Sequence, residues 1–245
     1  MTTVLKLGGS VVTEKDAPET VDEAALADAS RALSAFDGSL VVVHGGGSFG
    51  HHHAAERGVS SAEGTRDAAD VVAIHEAMGR LNARVVDALQ EAGVEAVPVR
   101  PLSLARRTAD DDLVLPAGSV AAMLDEGFVP VLHGDVVVRA GAGATITSGD
   151  DIVVALAESL ATDRVGLCST VPGVLDGEGE VIPVVERFAD VADAVGASDA
   201  TDVTGGMAAK VRKLLALDAP AHVFGPDDLP AFLDGDAPGT RIERE

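Results

Sequence analysis

HGGGSFGHHHA, residues 44–54, follows the apolar run Leu40-Val41-Val42-Val43 without a break. A glycine-rich turn placed directly after a strand-like run admits three readings: a phosphate cradle built of backbone N–H groups, a dinucleotide fingerprint, or a histidine metal site. Gly45, Gly47 and Gly50 satisfy G-x-G-x-x-G formally. That fingerprint also needs a helix starting at once, then a second strand ending in an acidic residue about twenty positions on. The residues that follow, HHHAAERGVSSAEGT, carry loop signals, and Asp67 and Asp70 fall on a helical pattern. Side chains adjacent in sequence rarely converge on one ion, and no Cys or compact carboxylate cluster completes a shell around His51, His52 and His53. His52 and His53 read as exposed or loosely packed imidazoles; His51, directly after Gly50, belongs to the turn.

Working outward, other stretches repeat the strand, small-residue turn, helix arrangement. LKLGGSVVTEK (residues 5–15) ends a strand at Gly8-Gly9-Ser10. DVTGGMAAKVRKLL (202–215) offers Thr204 as an N-cap, a turn at Gly205-Gly206 and a buried face of Met207, Val211 and Leu214. In TSGDDIVVALAESL, Ser148 is a further N-cap with Asp151 three residues on, a variant of the capping box. Backbone N–H groups and the helix dipole favour an anion at each such turn.

The lysines narrow the choice. Only four occur, Lys6, Lys15, Lys210 and Lys213, beside fourteen arginines. Lys6 and Lys15 flank the first glycine pair. Lys210 lies on the first turn after Gly205-Gly206, and helical side chains lean toward the N-terminus, so it can reach an anion bound there. Lys213 reads as an ordinary surface residue.

Apolar runs of strand length at Val4–Leu7, Leu40–Val43, Val94–Val99, Val129–Leu132, Asp135–Val138, Val165–Cys168 and Ala221–Phe224 alternate with helical patterns. This predicts an α/β fold with a mainly parallel central sheet. The longest helix is expected from about Thr65 to Ala92, with Ile74, Met78, Leu81, Val85 and Leu89 on one face and Gly93 as its stop. The turn-rich stretch Gly141–Gly149 is expected to mark a soft boundary between lobes sharing one sheet.

The 245 residues are 47% hydrophobic with mean hydropathy +0.24, enough for a proper core. Forty acidic against eighteen basic residues give a net charge of −22, which repels nucleic acid and anionic membranes. The acid excess is spread along the chain, aromatics are 2%, and Trp and Tyr are absent, a composition that fits adaptation to high salt. A single cysteine, Cys168, sits in an apolar run and reads as a small buried hydrophobe. No long apolar segment is seen, so a cytoplasmic location is expected.

The pieces LKLGGSVVTEK, VVVHGGGSFGHHHA, FVPVLHGDVV, ITSGDDIVVALA and DVTGGMAAKV, with GTRI close to the end, resemble the amino acid kinase superfamily in content and order. The combination of G-G-G-S-F-G-H, S-G-D-D and V-T-G-G-M-x-x-K is similar, within it, to the isopentenyl phosphate kinases of archaeal type. The resemblance spans almost the whole chain. It implies one domain over residues 1–245, an open αβα sandwich with an acceptor-binding lobe to about 145 and a nucleotide-binding lobe from about 146. A homodimer, and ATP with Mg²⁺ carried on the nucleotide, are implied too.

Residue by residue, the resemblance implies that Lys6, Leu7, Gly8, Gly9 and Ser10 hold the nucleotide phosphates and the transferring group, and that Lys15 stabilises the transition state. Gly46, His51 and Gly149 or Asp150 would hold the acceptor phosphate. Gly47, Thr170, Gly206 and Lys210 would contact ATP, and Met78 and Ile146 would lie near the hydrocarbon tail, beside Ile74 and Leu81 of the long helix. The chain departs from the family pattern at Ser169-Thr170-Val171-Pro172-Gly173-Val174, where Thr170 stands at an expected Asp.

The acceptor chemistry agrees. A phosphate monoester has a second pKa near ~6 and is a dianion at neutral pH, so it needs no general base. It needs charge neutralisation, because two polyanions must meet in line. Fosfomycin kinase shares much of the glycine-histidine signature and remains an alternative, favoured by a polar acceptor pocket. A non-catalytic nucleotide sensor on the same fold is the other alternative, against which stands the joint presence of Lys6, Lys15, His51 and Lys210.

Overall fold

The apolar runs become strands. The computed structural model describes residues 1–196 and 206–244. In chain order its strands are β1 (Thr2–Leu7), β2 (Ser39–His44), β3 (Ala96–Pro98), β4 (Arg106–Arg107), β5 (Leu113–Val114), β6 (Val129–His133), β7 (Asp135–Arg139), β8 (Gly143–Thr147), β9 (Arg164–Cys168), β10 (Val184–Val185), β11 (Ala221–Phe224) and β12 (Thr240–Ile242). Eight of them form a central sheet in the order β10-β12-β11-β9-β1-β2-β6-β3. All its neighbouring pairs are parallel except β11–β12.

The helices are α1 (Gly9–Val12), α2 (Glu23–Ser34), α3 (Gly47–Glu56), α4 (Ala68–Glu91), α5 (Pro101–Leu104), α6 (Gly118–Asp125), α7 (Gly149–Ser159), α8 (Ala192–Gly196), α9 (Gly206–Leu214) and α10 (Leu229–Leu233). They cover both faces of the sheet. Leu5 and Leu7 of β1 pack with Leu26, Leu33, Leu81, Val85 and Phe232. Val4 points the other way, to the cluster that holds Ile152, Leu156, Val211 and Leu214. Side chains alternate along a strand, so Lys6 shares the face of Val4 and emerges beside α7 and α9. The position of the first lysine follows from strand parity.

The long helix predicted from about Thr65 to Ala92 is α4. Asp67 caps it by accepting the Ala69 N–H at 2.8 Å, and Gly93, at φ +91°, ends it. Ile74, Met78, Leu81, Val85 and Leu89 are all buried, as their spacing requires.

One expectation changes. Asp135–Val138 forms a strand, but in a second sheet of order β5-β4-β7-β8. Gly141–Gly149, the stretch expected to hold a soft boundary between lobes sharing one sheet, comprises the turn between β7 and β8, the strand β8 and the start of α7. The central sheet draws β1 and β2 from one half of the chain and β9 and β11 from the other, with β1 between β2 and β9. Thr204 and Gly205 lie outside the described residues. No helix among the described residues is long and apolar enough to cross a membrane.

Candidate active site

The cleft opens where β1, β2, β6 and β9 end. Two glycine loops meet there, backbone against backbone. A Cβ on Gly9 would come within 2.3 Å of the Gly47 nitrogen, and one on Gly45 within 2.5 Å of the Gly9 nitrogen. No side chain fits between them, which is the physical reason for glycine at both. Thr13 ties the loops together: its Oγ1 donates to the Gly9 carbonyl at 2.9 Å and accepts the Ser48 N–H at 3.0 Å. Gly47 takes φ +47° and begins α3. A helix therefore does start at once, contrary to the expected loop after Gly50, and His51 sits on its second turn. The dinucleotide pattern still fails, since after α3 the chain runs into α4 with no strand between.

Lys6, Gly8, Gly9, Ser10, Gly46, Gly47, His51, Met78, Ile146, Gly149, Asp150, Thr170, Gly206 and Lys210 line one cleft of about 1030 Å³. Lys15 lines an adjoining cavity of about 920 Å³, whose wall shares Ser10, Gly47, His51 and Lys210 with the first. Leu7 does not belong with them. Its side chain is fully buried and its carbonyl accepts the Gly45 N–H at 3.0 Å, so it fixes the loop from behind. Leu81 is likewise core; the apolar wall of the cleft is made by Ile74, Met78 and Ile146.

Charge is concentrated at the start of α7. Ser148 and Asp151 form the reciprocal capping box. Gly149 follows, and a Cβ there would lie 3.1 Å from Lys6 Cε. Lys6 Nζ donates to Asp150 Oδ1 at 2.6 Å, and Lys210 Nζ stands 3.7 Å from Oδ2 of the same carboxylate. Burial alone would raise the Asp150 pKa, but the Lys6 and Lys210 charges and the Lys6 hydrogen bond override it and hold the carboxyl well below its usual range. Asp150 is thus an anion that gathers two cations. Its carboxylate cannot also hold a phosphate, so of the pair Gly149 or Asp150 only backbone N–H groups suit an anion.

Next to this triad lies a second. Asp151 accepts from Lys213 Nζ at 2.5 Å and from Arg107 Nη2 at 2.7 Å, and Arg107 is almost wholly buried. Lys213 therefore lines the cleft and is not the ordinary surface residue its place in the helix suggested. The signal was available in Ser148-Gly149-Asp150-Asp151: two consecutive acids on a helix's first turn face different neighbours and need different partners. His53 is a further correction, being partly buried and paired with Glu19.

Behind the glycine loops are groups that sequence reasoning passed over. β2 and β6 both end in a histidine followed by glycine, and His44 and His133 are completely buried with ring centres 5.4 Å apart. Burial, and for His44 the neighbouring His133, push both pKa values down, His44 to about 3. They are neutral structural imidazoles. Cys168 is buried too, and its thiol is pushed up to about 12 by burial and the Asp228 charge, which removes it as a nucleophile. Among the described residues no group of three or more His, Cys, Asp or Glu is arranged to hold a metal ion.

Comparison with known proteins adds an independent finding. The amino acid kinase family matches residues 1–219. An isopentenyl phosphate kinase from Haloferax volcanii is 68% identical over 244 residues, covering 99% of this chain and 98% of its own. A solved isopentenyl phosphate kinase structure superposes with a TM-score of 0.84 at 28% identity, over 99% of this chain and all of that one. A substrate complex of an isopentenyl phosphate kinase gives 0.77 at 26% identity, again over 99% of this chain and the whole of the other.

Proposed function

The chain belongs to the amino acid kinase family, and from that premise we propose that it transfers the γ-phosphoryl group of ATP to isopentenyl phosphate, giving isopentenyl diphosphate and ADP. One observation carries this reading: Lys6 and Lys210, from opposite ends of the sequence, converge on Asp150 beside the glycine loops. Two ammonium groups on one carboxylate leave a net positive charge where two polyanions must approach.

In this reading the acceptor phosphate, already a dianion, attacks without a general base. The Gly46 and Gly149 N–H groups and the His51 ring hold it, and Ile74, Met78 and Ile146 enclose its tail. Gly8, Gly9, Ser10, Gly47, Thr170 and Gly206 receive the nucleotide. Lys6 and Lys210 stay on the transferring group as charge moves to the leaving oxygen, and Lys15 reaches in from the adjoining cavity. Mg²⁺ enters as part of the ATP substrate, since Asp150 and Asp151 are engaged by lysines and Arg107. A homodimer working in the cytoplasm belongs to the same proposal.

The apolar wall favours an isoprenoid acceptor over fosfomycin. The test is ADP release in concentrated KCl with ATP and Mg²⁺, comparing isopentenyl phosphate, dimethylallyl phosphate and fosfomycin, with His51→Ala alongside. Turnover on the isoprenoid phosphates that falls about 10²-fold in His51→Ala is expected. Turnover on fosfomycin alone would overturn the acceptor, and ATP binding without any turnover would favour a sensor.

A further inference from the structure

Glu19 has no part in the chemistry above, yet among the described residues it is one of three non-glycine residues with positive φ, at +50°. Such a conformation persists only where the surroundings impose it. Here they do. Arg80 of α4 grips the Glu19 carboxylate through Nε at 3.2 Å and Nη2 at 2.7 Å. His53 of α3 makes a short hydrogen bond to the same carboxylate. The direction of that bond follows from Glu19: an ionised carboxylate can only accept, so His53 Nε2 donates to it. The Arg80 and His53 bonds hold the Glu19 carboxyl below its usual range, so it remains an anion in this clamp.

Glu19 closes the excursion that carries Lys15. The Thr13–Val21 bridge and the Glu14 N–H to Thr20 carbonyl bond, 3.0 Å, form its stem. The Glu19 N–H to Ser48 carbonyl bond, 3.3 Å, fastens it to the first turn of α3, three residues before His51. Lys15 itself is exposed. Left alone, a lysine on a solvated loop would sample many positions, and misplacement of about 1 Å is enough to cost about 10²-fold in rate.

We propose that Glu19, gripped by His53 and Arg80, is a positioning residue that sets the distance of Lys15 from the α3 phosphate cradle. The proposal rests on the role given to Lys15 above. It explains why a strained residue is kept at this point and why the third histidine of the run is paired inward.

The test uses the full chain in concentrated KCl and measures kcat and KM for both substrates in Glu19→Ala, Glu19→Gln, Lys15→Met and Lys15→Met/Glu19→Ala. Glu19→Ala is expected to lower kcat about 10- to 30-fold, within the 10²-fold that misplacement can cost, leaving KM for isopentenyl phosphate within about twofold. Glu19→Gln, whose carbonyl oxygen can still accept from His53 and Arg80 Nη2 while the Arg80 Nε bond is lost, should recover part of the rate. On the Lys15→Met background Glu19→Ala should cost less than about twofold more, because residues acting as a unit are not additive. A full additive loss, or Lys15→Met turning over as fast as the unaltered protein, would sink the proposal. Amide hydrogen exchange provides a readout independent of activity: Glu14 and Ser48 should exchange at least about tenfold faster in Glu19→Ala. Unchanged exchange would overturn the clamp even if the protein proved to turn over a different acceptor.

Discussion

Lys6 donates to Asp150 at 2.6 Å from a strand whose preceding residue, Leu5, is fully buried on the opposite face. The lysine is therefore aimed by the core as much as by its partner. Replacing Asp150 with Asn keeps the shape but removes the charge that lets Lys6 and Lys210 approach each other. Like charges a few ångströms apart at an effective dielectric near 20 repel by up to about 4 kcal/mol. The expected result is a fall in kcat of about 10²-fold or more with the fold retained, because the two ammonium groups move apart. Steady-state kinetics beside a circular-dichroism melt checks it; an active Asp150→Asn would show that the triad is structural only.

Gly9→Ala tests the contact between the loops. Its Cβ would meet the Gly47 backbone nitrogen at 2.3 Å, and backbone cannot swing aside as a side chain can. Overpacking of this kind costs about 1–3 kcal/mol or more, so a lower melting midpoint is expected together with near-complete loss of turnover. Gly118→Ala, where a Cβ would meet nothing within 4 Å, should leave both unchanged.

Acid should destabilise the protein well above the usual carboxylate range. Burial, and for His222 the Arg164 and Arg241 charges, lower His44 to about 3 and His222 to about 4 from an ordinary 6.5. As pH falls below 6.5 the unfolded chain takes up protons that the folded chain refuses, so stability is lost on going down in pH until the folded values are reached. Each such histidine contributes a slope of about 1.4 kcal/mol per pH unit between roughly pH 6 and 4.5. Denaturant melts at pH 7, 6 and 5 are expected to show the decline, and His222→Leu to flatten it.

The buried thiol gives a simple check on packing. With its pKa pushed up to about 12 and its side chain inside the core, Cys168 should resist iodoacetamide in the folded protein and react once denaturant is added. Rapid labelling of the native chain, read by mass spectrometry, would contradict its placement.

What could be read from the sequence was whatever depends on period and on missing side chains. The spacing of Ile74, Met78, Leu81, Val85 and Leu89 gave α4 within a few residues at its start, and the glycine pairs marked the turns that approach one another. The scarcity of lysine by itself pointed to Lys6 and Lys210. What could not be read depends on which partners the fold brings together. The sequence offered Gly149 or Asp150 for the acceptor phosphate but carried no sign that Lys6 and Lys210 converge on the Asp150 carboxylate. Lys213 and His53 looked idle because Asp151 and Glu19, their partners, lie far from them in sequence. Leu7 looked like part of the nucleotide loop, although parity along β1 sends it into the core.

The placement of β1 between β2 and β9 also bears on how the molecule comes to exist during synthesis. β1 and β2 can pair early, but the other edge of β1 has no partner until β9 has left the ribosome, and Lys210 emerges later still. A nascent chain halted after β8 would present a long, apolar, unpaired edge through Leu5 and Leu7, the kind of edge that recruits other chains. It would also lack Asp150 and Lys210, and with them the charge triad that gathers Lys6 at the start of α7. An incomplete product thus combines an exposed strand edge with an unfinished charge triad, and the edge is the feature that exposes it to aggregation.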